Sequence, residues 1–220
     1  MSNRALVTGA AGFIGSNLCR TLVENGWNVT GVDDLSGGHL ELVEGIKGLR
    51  MVLNDFASDF ILDEVKEGNF DVVFHLAAIP RVSYSVENPA ETTLNNVAKT
   101  TKLMETCRGK INRFVFSSSS SVYGGADDLP TPTSYLRDPK SLLMLGKSPQ
   151  LKTCFECLAS CTTLILCAFD TLMCSGLINT ETLLTRQQSP HGVTRSSMER
   201  RCAKMVQESK VEICAMLTML

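Results

Sequence analysis

The chain has 220 residues, of which 44% are hydrophobic and 20% are charged, a composition that predicts a globular protein with a sizeable core. Its net charge of -2 at pH 7 gives no basic footprint, so we expect no nucleic-acid partner. No apolar run reaches the roughly 18 residues that cross a bilayer, so we expect no membrane insertion. Because Met1 is followed almost at once by a strand-like run, we expect no signal peptide and a cytoplasmic location.

The chain divides into two parts of different composition. Seven of the nine cysteines lie after residue 140, whereas thirteen of the sixteen glycines and all three tyrosines lie before residue 141. This break predicts an ordered domain over residues 1–140 and a region of a different kind over residues 141–220.

The first segments predict a βαβ unit. Arg4–Thr8 is a short apolar run typical of a buried parallel strand, and a glycine-rich turn follows it. Ser16–Val23 has apolar residues at helical spacing and ends before Gly26. Asn28–Val32 is then a second strand, which ends at Asp33.

The chemistry of this unit is that of a dinucleotide site. Glycines at the first turn allow the backbone to approach a pyrophosphate, whose charge lies at the helix N-terminus. A glycine-rich turn alone is equally consistent with an ordinary turn, but the flanking strand and helix favour the cofactor. Asp33, about 20 residues further on, is suited to accept hydrogen bonds from both ribose hydroxyls and would repel a 2′-phosphate. The unit therefore predicts NAD rather than NADP.

The same alternation continues along the chain. Short apolar runs at Met51–Leu53, Asp71–Ala78 and Arg113–Phe116 predict three more strands, and residues from about Asn88 to Cys107 predict a helix. Strands that alternate with helices predict an α/β fold with a Rossmann-like, doubly wound parallel sheet. Its ligand is expected at the carboxyl ends of the strands.

Several motifs carry a family resemblance. The spacing Gly9-x-x-Gly12-x-x-Gly15, with Phe13 and Ile14, resembles the extended short-chain dehydrogenase/reductases, in particular their NAD-dependent nucleotide-sugar epimerases and dehydratases. Further matches follow in order at Asp33–Ser36, Asn54-Asp55, His75–Ala78, Asn95–Val97 and Phe116–Gly124. The resemblance covers residues 4 to about 140 without a gap.

The resemblance implies an NAD site and a role for each matching residue. The implied cofactor-binding residues are Gly9, Gly12, Phe13, Ile14, Gly15, Asp33, Asp34, Asp55, Phe56, Leu76, Ala77, Ala78, Asn96 and Ser117. Asp55 would hold the adenine amino group, Asn96 would lie below the cofactor, and Ser117 would face the nicotinamide end. The plainer interpretations are that Asp55 is a turn residue and Asn96 a helix cap.

The resemblance also implies a nucleotide-sugar substrate. Ile79–Pro89 looks most like 4-epimerases that act on UDP-hexoses or UDP-N-acetylhexosamines, with Arg81 and Ser83 as candidate substrate contacts. A solvent-facing loop would have a similar sequence. Ser119 would be catalytic and would form a hydrogen bond with the sugar hydroxyl that is oxidised. We interpret His75 as structural, because a histidine at the end of an apolar strand is more often packed than catalytic.

No metal site is predicted. The spacing Cys154-x-x-Cys157-x-x-x-Cys161 is reminiscent of zinc ligands, but no second pair of cysteines or histidines follows at a suitable spacing.

The catalytic pair of the family is missing from the sequence. In the family a tyrosine abstracts the sugar hydroxyl proton, and a lysine four residues later lowers the tyrosine pKa and binds the nicotinamide ribose. Tyr135 is followed by Lys140, five residues on, and Pro139 between them excludes a helical turn. No Tyr-x-x-x-Lys occurs anywhere in the chain.

A change of reading frame after about residue 140 accounts for this absence. When the third base of each codon is read with the first two bases of the next, Ser141–Leu145 permits Ser-Pro-Tyr-Ala. The following codons permit a lysine that restores Tyr-x-x-x-Lys. Two later family motifs, near Ala168–Leu177 and near Lys210–Leu220, are permitted in the same shifted frame.

The tail is therefore expected to be irregular and the sheet truncated. We expect no regular βα units after residue 140 and no well-paired neighbour for Arg113–Phe116, although Thr162–Phe169 is apolar enough for a strand or helix. The family forms homodimers through two helices, one near Ala98–Cys107 and one in the altered region, which argues against a dimer here.

These observations predict a parent activity and a disabled chain. The parent enzyme would epimerise a nucleotide sugar through oxidation at C4 with NAD. The alternatives are a dehydratase or decarboxylase of the same family, or a catalytically dead NAD-binding module.

Overall fold

The computed structural model describes residues 3–117 and the backbone of residues 163–167. Its strands are β1 (Arg4–Thr8), β2 (Asn28–Asp33), β3 (Leu49–Leu53), β4 (Val72–His75), β5 (Arg113–Ser117) and β6 (Thr163–Cys167). Its helices are α1 (Phe13–Glu24), α2 (Asp59–Lys66), α3 (Val82–Glu87), α4 (Pro89–Thr93) and α5 (Thr100–Cys107). A π-helical segment, Leu94–Lys99, joins α4 to α5, and a short 3-10 turn covers Leu40–Leu42.

The strands form one parallel sheet in the order β3-β2-β1-β4-β5-β6. The chain runs outward from β1 to β3, returns to the centre at β4, and then runs outward on the other side. The order thus reverses between β1 and β4, which is the topological switch point of a doubly wound sheet. The predicted Rossmann-like fold is confirmed.

The sheet extends one strand further than we expected. β6 pairs in parallel with β5, from Arg113 opposite Thr163 to Ser117 opposite Cys167. The segment is the apolar, β-prone run that could have been a strand or a helix, and it meets the hydrogen-bonding groups that β5 would otherwise leave open. The predicted domain boundary near residue 140 and the rest of the tail lie outside the described residues.

Two layers of helix cover the sheet. Alternation along the strands places Leu6, Val73 and Phe114 in a cluster that also contains Ile61 of α2 and Leu103 of α5. The neighbouring strand residues Ala5, Val7 and Phe74 are equally buried but belong to no part of that cluster. Helix α1, whose buried side chains are also outside it, packs against β1, β2 and β3. Both faces of the sheet are therefore buried, as a parallel sheet requires.

The helices differ from the predicted ones in detail. α1 begins three residues earlier than expected and ends before Gly26, whose φ of +79° is the left-handed conformation that glycine permits. The helix predicted from about Asn88 to Cys107 is present as α4, the π-helical segment and α5. The π-helical turn was not predicted, because one extra residue per turn leaves no clear mark on apolar periodicity. α2 and α3 were not identified individually.

An ion pair ties the strands together at their amino ends. The Asp71 carboxylate accepts hydrogen bonds from the Arg4 guanidinium at 2.8 and 3.2 Å and from the Arg4 amide at 2.9 Å. The Asp71 carbonyl accepts a bond from the Asn112 amide at 2.8 Å, so Asp71 links the chain at the starts of β1, β4 and β5. The hydrogen bonds from Arg4 hold the pKa of Asp71 below its ordinary value.

We expect Asp71→Asn to lower the melting temperature of the full chain by a few degrees at pH 7. A depressed pKa means that the carboxylate contributes stability above its unfolded pKa of about 3.9, and that this contribution is lost as the pH falls through the folded value. Thermal unfolding of the unaltered chain and of Asp71→Asn across the acid range should show that the difference between their melting temperatures narrows below about pH 4. Asp63→Asn is the control, since Asp63 is exposed and its ion pair with Lys66 lies within α2. An equal loss of melting temperature in Asp63→Asn, or a difference for Asp71→Asn that persists in acid, would contradict the stabilising role of the Arg4–Asp71 ion pair.

Candidate cofactor site

The predicted cofactor residues gather along one edge of the sheet. The glycine turn follows β1, Asp33 ends β2, Asp55 follows β3, Leu76–Ala78 follows β4 and Ser117 ends β5. Because all these strands are parallel, their carboxyl ends meet at the same edge. The structure therefore brings together these parts of the predicted site, at the edge where ligands bind in doubly wound sheets.

The glycine turn leaves no room for side chains. Gly9 has φ +70°, and a Cβ there would lie 2.8 Å from the Ala77 amide nitrogen. A Cβ on Gly15 would lie 2.0 Å from the Gly9 carbonyl oxygen. Gly12 precedes α1 in an extended conformation and makes no side-chain cap. The backbone at the N-terminus of α1 is thus free of side-chain competition for an anion.

Asp33 is buried beside this turn. Its carboxylate accepts hydrogen bonds from the Ala11 amide at 3.0 Å and from the Leu35 amide at 2.8 Å. Burial raises the pKa of Asp33, and the two amides partly offset that effect. Leu35 has φ 61°, a conformation that costs energy for a residue with a Cβ. The strained turn keeps an amide directed at the carboxylate.

The loop after β2 folds back over the first turn. The His39 amide donates to the Ala11 carbonyl at 2.8 Å, and a Cβ on Gly38 would lie 2.7 Å from Asp33 Oδ1. Asp34 is exposed, and its carboxylate accepts bonds from the amide and hydroxyl of Ser36. Asp33 therefore belongs to the interior of the site, whereas Asp34 organises a surface turn.

Asp55 has a partner that the sequence did not reveal. Its Oδ1 accepts a bond from the Ala57 amide at 2.8 Å, as in an Asx turn, and its Oδ2 pairs with the Lys99 ammonium. Lys99 lies in the π-helical segment and also contacts Asn95 Oδ1 at 3.4 Å. The following residue, Phe56, is buried, with its ring 4.9 Å from that of His75.

Asn96 holds the chain that leaves β4. Its side-chain oxygen accepts from the Ile79 amide at 2.8 Å, and its side-chain nitrogen donates to the Ile79 carbonyl at 3.0 Å. The side chain pairs with backbone on a different segment, so Asn96 is not a helix cap. Because this residue is buried and lies in a π-helical segment, its pairing fixes the path of the loop beyond Ala78.

The candidate substrate residues lie in a more open region. Arg81 and Ser83 are exposed, at the start of α3. In the same helix, Tyr84 donates to Glu91 Oε2 at 2.7 Å, and that bond raises the pKa of Tyr84. Ser119 and the cysteine cluster at 154–161 lie outside the described residues. Among residues 3–117, no cluster of acidic, histidine and cysteine side chains suits a metal ion, and no helix is both long and apolar enough to cross a membrane.

Comparison with known proteins identifies the family. Residues 5–141 match the sequence model of the "NAD dependent epimerase/dehydratase family". The chain belongs to this family. The match begins at β1 and includes every described element up to β5.

The curated relatives include UDP-glucose 4-epimerases. A Schizosaccharomyces pombe UDP-glucose 4-epimerase is 37% identical over 156 residues, which is 67% of this chain and 43% of the relative. The enzyme of Mycolicibacterium smegmatis is 38% identical over 149 residues, which is 66% of this chain and 48% of the relative. The chain thus spans less than half the length of these two relatives.

Solved structures show the same similarity. UDP-glucose 4-epimerase from Thermotoga maritima, solved with UDP-glucose, has a TM-score of 0.66 and 29% identity, and the match covers 74% of this chain and 54% of that one. UDP-glucose 4-epimerase from Brucella ovis, solved with NAD, has a TM-score of 0.65 and 30% identity, over 74% of this chain and 51% of that one.

The close approach at Gly15 is directly testable. Gly15→Ala should destabilise the full chain by about 1–3 kcal/mol, because the new Cβ meets backbone atoms that have no rotamer to escape into. Gly37→Ala is the matched control, since Gly37 has a negative φ and a Cβ there would meet nothing within 4 Å. Urea unfolding measures both changes. Equal stability of the two variants would contradict the assigned geometry.

Proposed function

We propose that the chain binds NAD along the carboxyl edge of the sheet. The observation that carries the proposal is the Asp33 carboxylate, which is buried and held by two backbone amides beside a turn whose glycines pack against backbone too closely for a Cβ. The glycine turn and the N-terminus of α1 would receive the pyrophosphate, and Asp33 would accept hydrogen bonds from the adenosine ribose hydroxyls.

Other residues would contact the adenine end, the middle and the nicotinamide end of the cofactor. Asp55, with its partner Lys99, lies beyond the end of β3 and would meet the adenine. Leu76, Ala77 and Ala78 would line the cofactor, with Asn96 holding the chain behind them through Ile79. Ser117, at the end of β5, would face the nicotinamide end.

The second part of the proposal concerns the substrate class and the reaction. The relatives are UDP-glucose 4-epimerases, which supports a UDP-hexose or UDP-N-acetylhexosamine as ligand and C4 epimerisation as the parent reaction. NAD would supply a hydride acceptor. Ser119 would form a hydrogen bond with the C4 hydroxyl, and Arg81 and Ser83 are candidate substrate contacts. Ser120–Val122 offers no acidic residue of the kind that dehydratases add after the catalytic serine, which favours an epimerase.

The third part is that this chain carries out the reaction poorly. Without Tyr-x-x-x-Lys the chain has no group in the family's position to accept the C4 hydroxyl proton. A positioned general base contributes typically about 10²–10⁴-fold to the rate. The chain would then be an NAD-binding module that lacks the base, and a reading-frame change after about residue 140 is the proposed origin. DNA sequencing across codon 141 tests that origin directly.

Cofactor choice tests the site. The full chain should bind NAD at least about 100-fold more tightly than NADP, because a 2′-phosphate beside a buried carboxylate costs several kcal/mol. Isothermal titration with both cofactors measures the ratio. Asp33→Asn should narrow the ratio of NAD affinity to NADP affinity by about tenfold or more, whereas Asp63→Asn, which removes an exposed carboxylate on α2, should leave that ratio unchanged. Tighter binding of NADP would refute the ribose assignment.

Activity tests the missing base. Two versions of the protein, the chain as it stands and one whose codons after residue 140 are read in the shifted frame, are incubated with UDP-glucose and NAD. C4 inversion is followed by conversion to UDP-galactose. The shifted version should turn over at least about 100-fold faster, since it regains Tyr-x-x-x-Lys. Turnover by the unshifted chain near a typical enzyme's ~10 per second would refute the proposal that it is disabled.

A further inference from the structure

A buried polar chain at the centre of the sheet edge is left over after the roles above are assigned. It joins Thr8, the last residue of β1, to His75, the last residue of β4, and to Thr100, the first residue of α5. Thr8 and His75 lie opposite each other in the sheet register, and all three residues are at most 1% exposed. The rings of Phe56, Phe114 and Phe116 lie within 6 Å of the imidazole centroid.

The hydrogen bonds of the Thr8 hydroxyl favour one tautomer of His75. Thr8 Oγ1 accepts from the amides of Leu76 and Ala77, each at 3.2 Å, and lies 2.7 Å from His75 Nδ1. A hydroxyl has two lone pairs and one hydrogen, and an amide can only donate. The Leu76 amide also donates to the Thr8 carbonyl at 3.2 Å, so it is shared between two acceptors, whereas the Ala77 amide donates to the hydroxyl. With two amides on its accepting side, the hydroxyl favours the arrangement in which its hydrogen is directed at Nδ1, and in that arrangement Nδ1 is an unprotonated acceptor.

The other ring nitrogen completes the assignment. His75 Nε2 lies 2.9 Å from Thr100 Oγ1, and in a neutral imidazole whose Nδ1 is bare, Nε2 carries the hydrogen and donates it. A protonated Nδ1 would place a third donor on Thr8 Oγ1. The contacts of His75 within the described residues thus favour its neutral Nε2–H form.

The Thr8 hydroxyl links His75 to the backbone that would line the cofactor. Leu76 and Ala77 begin the segment that would line NAD, and the Ala77 amide is also the atom that a Cβ on Gly9 would strike. A Thr8 hydroxyl whose hydrogen is directed at His75 presents its lone pairs to the amides of that segment.

We propose that His75 is a positioning residue, which in its Nε2–H tautomer orients the Thr8 hydroxyl and thereby sets the distance between the glycine turn and the Leu76–Ala77 backbone. Its effect on affinity rests on the proposed NAD binding, whereas the tautomer itself does not. His75 touches neither cofactor nor substrate in this proposal, so it is not a catalytic residue.

The first measurement is the tautomer in the full chain. The protein is labelled with ¹⁵N-histidine, and the ring nitrogens are observed by NMR at pH 7, with His75→Asn used to assign the signals among the three histidines. We expect Nδ1 of His75 to be unprotonated and Nε2 protonated. A protonated Nδ1 in the unaltered chain overturns the proposal, whatever the behaviour of any variant.

Two matched variants then show which threonine hydroxyl determines the tautomer of His75. Thr8→Val removes the hydroxyl that binds Nδ1 and should abolish the preference for a single tautomer. Thr100→Val removes the hydroxyl that contacts Nε2 and should leave Nδ1 unprotonated. The opposite pattern, with the tautomer released only by Thr100→Val, overturns the proposal.

The third measurement tests whether the buried polar chain of Thr8, His75 and Thr100 affects NAD binding. Thr8→Val and His75→Phe should weaken NAD binding by about tenfold, the usual effect of losing one buried hydrogen bond. Thr8→Ser, which keeps the hydroxyl, should restore most of the affinity. Unchanged affinity in His75→Phe overturns the positioning role. If the unaltered chain binds no NAD at all, the proposed function fails, while the NMR result still decides the tautomer.

Discussion

The close approach of three backbone segments at the switch point is the constraint on which the rest of the site depends. The turn after β1 runs directly against the chain that leaves β4, and its Gly9 carbonyl lies against the start of α1 at Gly15. No residue with a Cβ fits at either glycine without moving backbone. Since β1 and β4 are neighbours in the sheet, this contact lies where the strand order reverses.

Three buried polar side chains at this edge, those of Asp33, Asn96 and Thr8, have backbone partners. Asp33 accepts from two amides, Asn96 pairs with both polar groups of Ile79, and Thr8 accepts from two amides. Burying such groups without hydrogen bonds would cost several kcal/mol each. Their partners lie on loops instead of regular elements. The polar side chains therefore determine the loop geometry of the site, while the apolar clusters determine the sheet.

In the proposed function, cofactor binding and proton transfer depend on different segments of the chain. The match to the family covers residues 5–141. Apart from Arg4, the five strands β1 to β5 and the helices that cover both faces of the sheet lie within those residues. The base and its lysine belong, in the family, to the helix that comes afterwards. A chain can therefore keep the geometry for a dinucleotide while losing the group that moves the proton, because the two depend on different segments.

The sequence alone determined the features that depend on local pattern. Apolar runs predicted the five strands up to β5, the glycine spacing predicted the turn, and the position of Asp33 after β2 predicted its place beside that turn. Each of these follows from residues close together in the chain, through strand burial, backbone freedom or the geometry of one βαβ unit.

Tertiary structure decided the partners of the buried polar side chains. Lys99 reaches Asp55 across 44 residues, Asn96 reaches Ile79 across 17, and His75 reaches Thr8 across 67. The π-helical turn that directs Asn96 and Lys99 has no periodic signature, and the pairing of β6 with β5 joins segments about 50 residues apart. Local propensity says nothing about such pairings, because they form only when the sheet order and the helix positions bring the two segments together.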